Sequence, residues 1–238
     1  MKRLIIAAVA VAAMSVASKA EAALAYTFTF CQGNTCIAPV NSNLVGGVVV
    51  GDYSISVASG LGTQGSPSSL STQNNLNVTR TGNTSSAELN VWFTVTGYTL
   101  PNGPAYNFDV SLGSSQSSFG ANPGRALVTY QAWYSSTNST GLPPAGSVAS
   151  NQAACTPSFS AGTDSCNSNP GIVVATPGSN LFSITTLTQF FINLRDTSSF
   201  GSDAHTTLTA VPEPGSMVLL GSGLLGMAAV LRRRYARK

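Results

Sequence analysis

The chain has 238 residues, with 11 Lys and Arg against 8 Asp and Glu, a formal net charge of +3. That basicity is confined to the ends, because lysine occurs only at positions 2, 19 and 238. Between Ala23 and Val211 six acids (Asp52, Glu88, Asp109, Asp164, Asp196, Asp203) stand against three arginines (Arg80, Arg125, Arg195), a net of −3, which excludes the basic footprint of a nucleic-acid binder.

Lys2 and Arg3 form a positive head, Leu4–Ala17 an apolar run, and Ala20-Glu21-Ala22 a small-x-small cleavage site. Residues 1–22 therefore read as a signal peptide removed by signal peptidase after Ala22, with a cut after Ala25 as the alternative. Such a leader predicts export across the inner membrane.

The body, residues 23–210, is poor in charge and rich in Ser, Thr, Asn and Gly, yet both tryptophans and all ten phenylalanines lie in it. Disordered segments lack aromatics and carry high net charge, so a folded domain is expected, large enough for one core. Its apolar residues alternate. Tyr26, Phe28 and Phe30 share a face, as do Val49, Tyr53, Ile55 and Val57, then Leu89, Val91, Phe93 and Val95, then Tyr106, Phe108, Val110 and Leu112. Ala126–Tyr134 and Leu181–Arg195 continue the period of two, and Leu208 closes a last strand. No run carries an apolar stripe at helical spacing. The expectation is an all-β fold of eight to ten strands, an antiparallel β-sandwich of jelly-roll or immunoglobulin-like topology. Residues 60–75 and 135–170 read as long surface loops.

Four cysteines in an exported chain predict disulfides rather than a metal site, since C-x4-C and C-x10-C spacings with no nearby histidine do not suit zinc. Three connectivities are possible; short loops favour Cys31 with Cys36 and Cys155 with Cys166. Bridges so local would pin loops and contribute little to the global fold.

The candidate chemistry is sparse. Gly60-Leu61-Gly62-Thr63-Gln64-Gly65 matches G-x-G-x-x-G, but no helix follows to face a phosphate, so it reads as a flexible loop. Ser202-Asp203-Ala204-His205 groups a hydroxyl, an acid and the only histidine, which adjacency alone does not make a triad. Glu88 and Asp109 are the best carboxylate pair for glycoside chemistry. Trp92 falls on the polar face of its strand, where it could stack on sugar rings, with Trp133 and Tyr134 as companions. None of these forms a recognisable catalytic set, and no catalytic residue, metal or cofactor is assigned.

The C-terminal segment is the most specific part of the sequence. Val211-Pro212-Glu213-Pro214 holds the chain extended, Met217–Leu231 is uncharged and apolar or small, and Arg232, Arg233, Arg234, Arg237 and Lys238 form a basic end. The apolar run as a helix reaches roughly 22 Å, short of a bilayer core of roughly 30 Å, and predicts a short transmembrane helix. The basic end resists translocation and leaves the body outside. In this order, motif, apolar helix and basic stop resemble the PEP-CTERM sorting domain of Gram-negative bacteria, over residues 211–238. The resemblance implies recognition and cutting by an exosortase, transient anchoring in the inner membrane, and a setting of exopolysaccharide or biofilm. It prescribes no fold or activity for the body. The resulting expectation is a non-enzymatic envelope or extracellular-matrix protein, with no nucleic-acid partner and with extracellular polysaccharide as the associated polymer. The alternative is a secreted enzyme acting on polysaccharide.

Overall fold

A computed structural model describes residues 23–66, 69–82, 88–99, 105–118, 126–156, 163–176, 181–192, 198–211 and 221–227. Eight long strands carry the fold. Four of them form one sheet, sheet A: β1 (Ala25–Gln32), β7 (Glu88–Tyr98), β9 (Ala126–Ser135) and β14 (Phe182–Ile192). The other four form sheet B: β5 (Tyr53–Ser66), β6 (Ser69–Arg80), β8 (Tyr106–Ser118) and β15 (Ser198–Ala210). Short strands complete the edges: β2 (Thr35–Cys36), β3 (Leu44–Val45), β4 (Val48–Val50), β10 (Val148–Ala149), β11 (Ala153–Cys155), β12 (Thr163–Ser168) and β13 (Val173–Ala175). Sheet A runs β10-β9-β14-β7-β1-β2 and sheet B runs β12-β8-β15-β6-β5-β3, all pairs antiparallel. The protein is an all-β sandwich, as the period-two alternation predicts. The chain crosses between sheets after β2, β6, β7, β8, β11, β13 and β14, so most neighbours in a sheet are distant in sequence.

The inward faces meet in an aromatic core. Phe28 and Phe93 stack at 4.5 Å between centroids, Phe190 of sheet A meets Phe200 of sheet B edge-on at 6.4 Å, and Tyr106 meets Tyr134 at 6.1 Å. Aromatic pairs in these geometries add to the area term that drives burial. The middle of the core is polar. Tyr98 shares a hydrogen bond of 2.8 Å with Thr72, Tyr130 one of 2.6 Å with Thr206, and Asn74 Nδ2 donates to Thr186 and Thr188 at 3.3 and 3.4 Å. Each of these joins sheet A to sheet B. Inside, such a bond is worth more than on the surface, and its loss strands a desolvated partner.

Two expectations are corrected and one is extended. Residues 60–66 and 69–75 are strand, not loop: they belong to β5 and β6, which pair from Tyr53↔Arg80 to Ser66↔Ser69 with register shifts at Ile55/Val57 and Gln64/Ser66. Gly60 and Gly62 face inward there because large side chains from sheet A press on them. A Cβ on Gly60 would stand 2.5 Å from both Cε atoms of Phe93, and one on Gly62 would stand 2.7 Å from Val95 Cγ1. The stretch 135–170 is only partly loop, since β10 and β11 pair with β9 and β12 pairs with β8. The strand expected around Leu208 is 13 residues long and central in sheet B, paired with β6 on one side and β8 on the other.

Both local disulfides form, Cys31–Cys36 and Cys155–Cys166. The first closes the β1–β2 hairpin, where the two cysteines are register partners. The second does more than pin a loop, because Cys155 lies in β11 of sheet A and Cys166 in β12 of sheet B. Local in sequence, it staples the two sheets at their edge.

Candidate functional site

The end of the body and the start of the tail are one continuous piece of backbone. β15 is paired along its length, and beyond it the Val211 N–H still donates to Ala105 O at 2.9 Å. Of the sorting segment, Val211 is described and Pro212, Glu213 and Pro214 lie outside the described residues. Residues 221–227 are helical with exposed side chains, and they include the glycines 221, 223 and 226. Met217, Leu231, Arg232, Arg233, Arg234, Arg237 and Lys238 lie outside the described residues, as do Ala20 and Ala22 of the signal cleavage site. Among the described residues no helix is long and apolar enough to cross a membrane.

The catalytic candidates do not converge. Along β15 the side chains alternate, so Ser202 and Ala204 point into the core while Asp203 and His205 point out. Ser202 and His205 therefore sit on opposite faces of one strand and cannot share a proton. Asp203 Oδ1 instead accepts from Gln73 Nε2 at 3.1 Å on the neighbouring strand. With His205, Gln73, Ser111 and Asn167 it lines a shallow depression of ≈ 490 Å³ on the outside of sheet B. Glu88 lies on the outer face of β7 in sheet A, and Asp109 on the outer face of β8 in sheet B. The whole sandwich separates them, since packed sheets stand about 10 Å apart before the outward side chains are added. Glycosidase carboxylates need about 5–9.5 Å.

The tryptophans do converge. Trp92 on β7 and Trp133 on β9 flank β14 on the outer face of sheet A, their rings 5.5 Å apart and tilted by 39°. Leu187 of β14, opposite Trp92 in register, lies beneath them with only 8% of its surface exposed. Tyr134, one residue on from Trp133, points the other way into the core and is 2% exposed. Next along the strands comes a polar band. Thr129 Oγ1 donates to Gln189 Oε1 at 3.1 Å, and Gln189 Nε2 donates to Glu88 and Asn90, both at 2.9 Å. At the opposite end the segment after β9 folds over the sheet. Gly141 O accepts from Thr94 and Thr185 at 2.9 and 3.4 Å, and Asn138 Oδ1 accepts from the Gly97 N–H at 2.7 Å. Sequence reading placed Trp92 on this face but had no means of seeing Trp133 beside it, since the two are brought together only by β14 pairing with both strands.

Titratable groups are few and mainly structural. Burial pushes the Tyr53 and Tyr106 hydroxyls up to about 12 and those of Tyr98 and Tyr130 higher still. Arg80 is 2% exposed and forms an ion pair of 3.3 Å with Asp52, donates to Ile192 O across the sandwich, and lies over the Tyr53 ring.

Comparison with known proteins decides the tail. Residues 210–234 match the family model described as PEP-CTERM protein-sorting motif. The chain carries a PEP-CTERM protein-sorting tail. Such a tail implies export, transient membrane anchoring and processing by an exosortase. The match begins at the last residue of β15, so the PEP-CTERM segment follows the folded body without a spacer. No curated protein matches the chain. Among solved structures, "Structure of infectious bursal disease virus Gt strain" aligns at 9% identity over 90% of this chain and 69% of that one, with a TM-score of 0.14 that carries no argument.

Proposed function

We propose that this PEP-CTERM protein is a non-enzymatic component of the cell envelope or extracellular matrix, released there by tail processing and associated with exopolysaccharide. The observation that carries the reading is the dispersal of every catalytic candidate in a body whose outer surfaces are hydroxyl- and amide-rich. Ser202 points away from His205, and Glu88 and Asp109 occupy opposite faces. The body's −3 charge and its lack of lysine suit a hydrated, weakly charged surface. The inter-sheet disulfide suits an oxidising compartment outside the cytoplasm.

The test follows the protein through processing. Wild type should be recovered in the ethanol-precipitable polysaccharide fraction of the culture and resist washing with salt. A Pro212→Ala, Glu213→Ala, Pro214→Ala triple variant should be exported but held in the membrane fraction with its basic end uncut. Incubation of the mature protein with that polysaccharide should release no reducing ends. Processing of the triple variant at the wild-type rate would refute the sorting role of the motif. Recovery of wild type free of polysaccharide would refute the association, and release of reducing ends would favour the enzymatic alternative.

A further inference from the structure

We propose that the outer face of sheet A, centred on Trp92 and Trp133, is a binding platform for a neutral polysaccharide chain. This rests on the reading of the protein as polysaccharide-associated and names the surface and the chemistry of that contact.

The first argument is where the fold puts its aromatics. Seven of the eight described phenylalanines are buried, as the area term demands. Both tryptophans of the chain are instead only partly buried, on one outer face and side by side across a single strand. The outer face of sheet B has no aromatic among its described residues. An indole offers a flat apolar surface with one polar edge, and it suits the C–H face of a pyranose ring, whose hydroxyls remain at the rim.

The second argument is what surrounds the indoles. A ligand site combines an apolar surface with a few fixed hydrogen-bonding groups, and here those groups are amides already held in place. Gln189 is oriented by Thr129, Asn90 and Glu88, and Gln131 by donation to Ser150 O at 2.9 Å. Both Nε2 hydrogens of Gln189 are engaged, so it offers sugar hydroxyls an Oε1 lone pair, while Gln131, with one Nε2 hydrogen engaged, can both donate and accept. From Leu187, beneath the indoles, to Phe191, half-exposed at the far end of the same face, β14 runs four residues, about 13 Å. That is longer than one sugar ring, so an extended chain can lie along the strand over indole, amide band and Phe191 in turn. The Gly141 segment closes the other end, and its carbonyl is already engaged by Thr94 and Thr185. The surface is therefore formed before any ligand arrives, which lowers the ordering cost of binding.

Charge selects the class of polymer. Among the described residues of this band the sole formal charge is Glu88, already accepting from Gln189, and the body's net charge of −3 disfavours an anionic polymer or lipid surface. Neutral glycans are favoured over uronic-acid or sulfated ones.

The experiment uses the fact that Trp92 and Trp133 are the only tryptophans, so emission from the unmodified chain reports this surface alone. The full chain in detergent micelles is titrated with dextran, hydroxyethyl cellulose, the neutral fraction of the producing culture's exopolysaccharide, and alginate. At least one neutral polymer should shift the emission and cut acrylamide quenching about twofold or more, with alginate silent. Trp92→Ala and Trp133→Ala should each weaken retardation in affinity gels about tenfold, and Trp92→Phe should restore part of it. Retardation by a neutral polymer with unchanged emission and unaffected variants would overturn the platform and leave the polysaccharide association standing. Absence of binding to all four polymers would overturn both. A response to alginate equal to that of the neutral polymers would overturn the neutral selectivity on which the proposal is built.

Discussion

Gly60 and Phe93 should behave as one packing unit. Gly60 lies in β5 of sheet B, and Phe93 in β7 of sheet A presses its ring against the glycine backbone. An alanine methyl there would stand 2.5 Å from both ring Cε atoms, about 1 Å inside the carbon–carbon optimum of roughly 3.5–4.0 Å. The ring has little freedom to retreat, because Phe28 stacks on it at 4.5 Å and Tyr26 at 6.2 Å. Gly60→Ala should therefore cost about 1–3 kcal/mol, even though alanine suits a strand better than glycine by roughly 0.5–1 kcal/mol. Phe93→Ala opens a cavity in a fully buried site and should cost about 3–5 kcal/mol. In the double variant the new methyl points into that cavity instead of into a ring. Its total cost should fall below the sum of the single costs by about 1–3 kcal/mol, the range of coupling for residues in contact. A domain of ordinary stability, about 5–15 kcal/mol, leaves all three variants measurable by urea unfolding followed by far-ultraviolet circular dichroism. Additivity within about 0.5 kcal/mol would show that the two residues do not touch and that β5 is not packed over β7.

Arg80→Met should leave the Asp52 carboxylate buried without its cation, a loss of about 3–5 kcal/mol; a shift in stability below about 1 kcal/mol would refute the burial of the pair. The buried tyrosines set an alkaline limit. Their folded-state pKa values lie above the unfolded value of about 10, so the folded protein holds protons that the unfolded chain has released. Stability should be level below pH 10 and fall from there through about pH 12, steeply if several ionise together, and the tyrosinate absorbance of these four side chains should rise only as the fold is lost. Reversible ionisation of more than three of the seven tyrosines near pH 10 with the circular dichroism intact would contradict this. Intact-mass measurement of the processed protein should find its C-terminus at Val211 or beyond, because β15 is paired on both sides from Ser198 to Thr209 and on the β8 side at Ala210, and alkylation without reduction should add no mass. A C-terminus inside β15, or a labelled thiol, would show that the fold or the bridges differ in the exported protein.

Sheet A was legible in the sequence because its inward residues are apolar apart from Thr186 and Thr188 of β14: Phe28 and Phe30, Leu89 to Val95, and Phe190 and Ile192 keep the period of two. Half of sheet B was not, and the reason lies in what its strands bury. β5 turns Gly60 and Gly62 inward, β6 turns Thr72 and Asn74, and β15 turns Ser202, Ala204 and Thr206. Glycine, threonine and asparagine at the inward positions leave no hydrophobic alternation to detect, so the hairpin arms around residues 60–75 resemble a polar loop. They are buried only because partners from the other sheet fill the space above them, the Phe93 ring over Gly60 and the Tyr98 hydroxyl against Thr72. The same holds for the Cys155–Cys166 bridge, whose loop is short in sequence but whose ends belong to different sheets, and for Trp92 and Trp133, neighbours only through β14. The sorting tail needed no such context. Two prolines flanking a glutamate, an apolar segment and a basic cluster act through local chain stiffness, hydropathy and charge, which linear order alone carries. Which face a residue of the body presents, and to what, depends on pairing between strands far apart in the chain, and that only the tertiary structure decides.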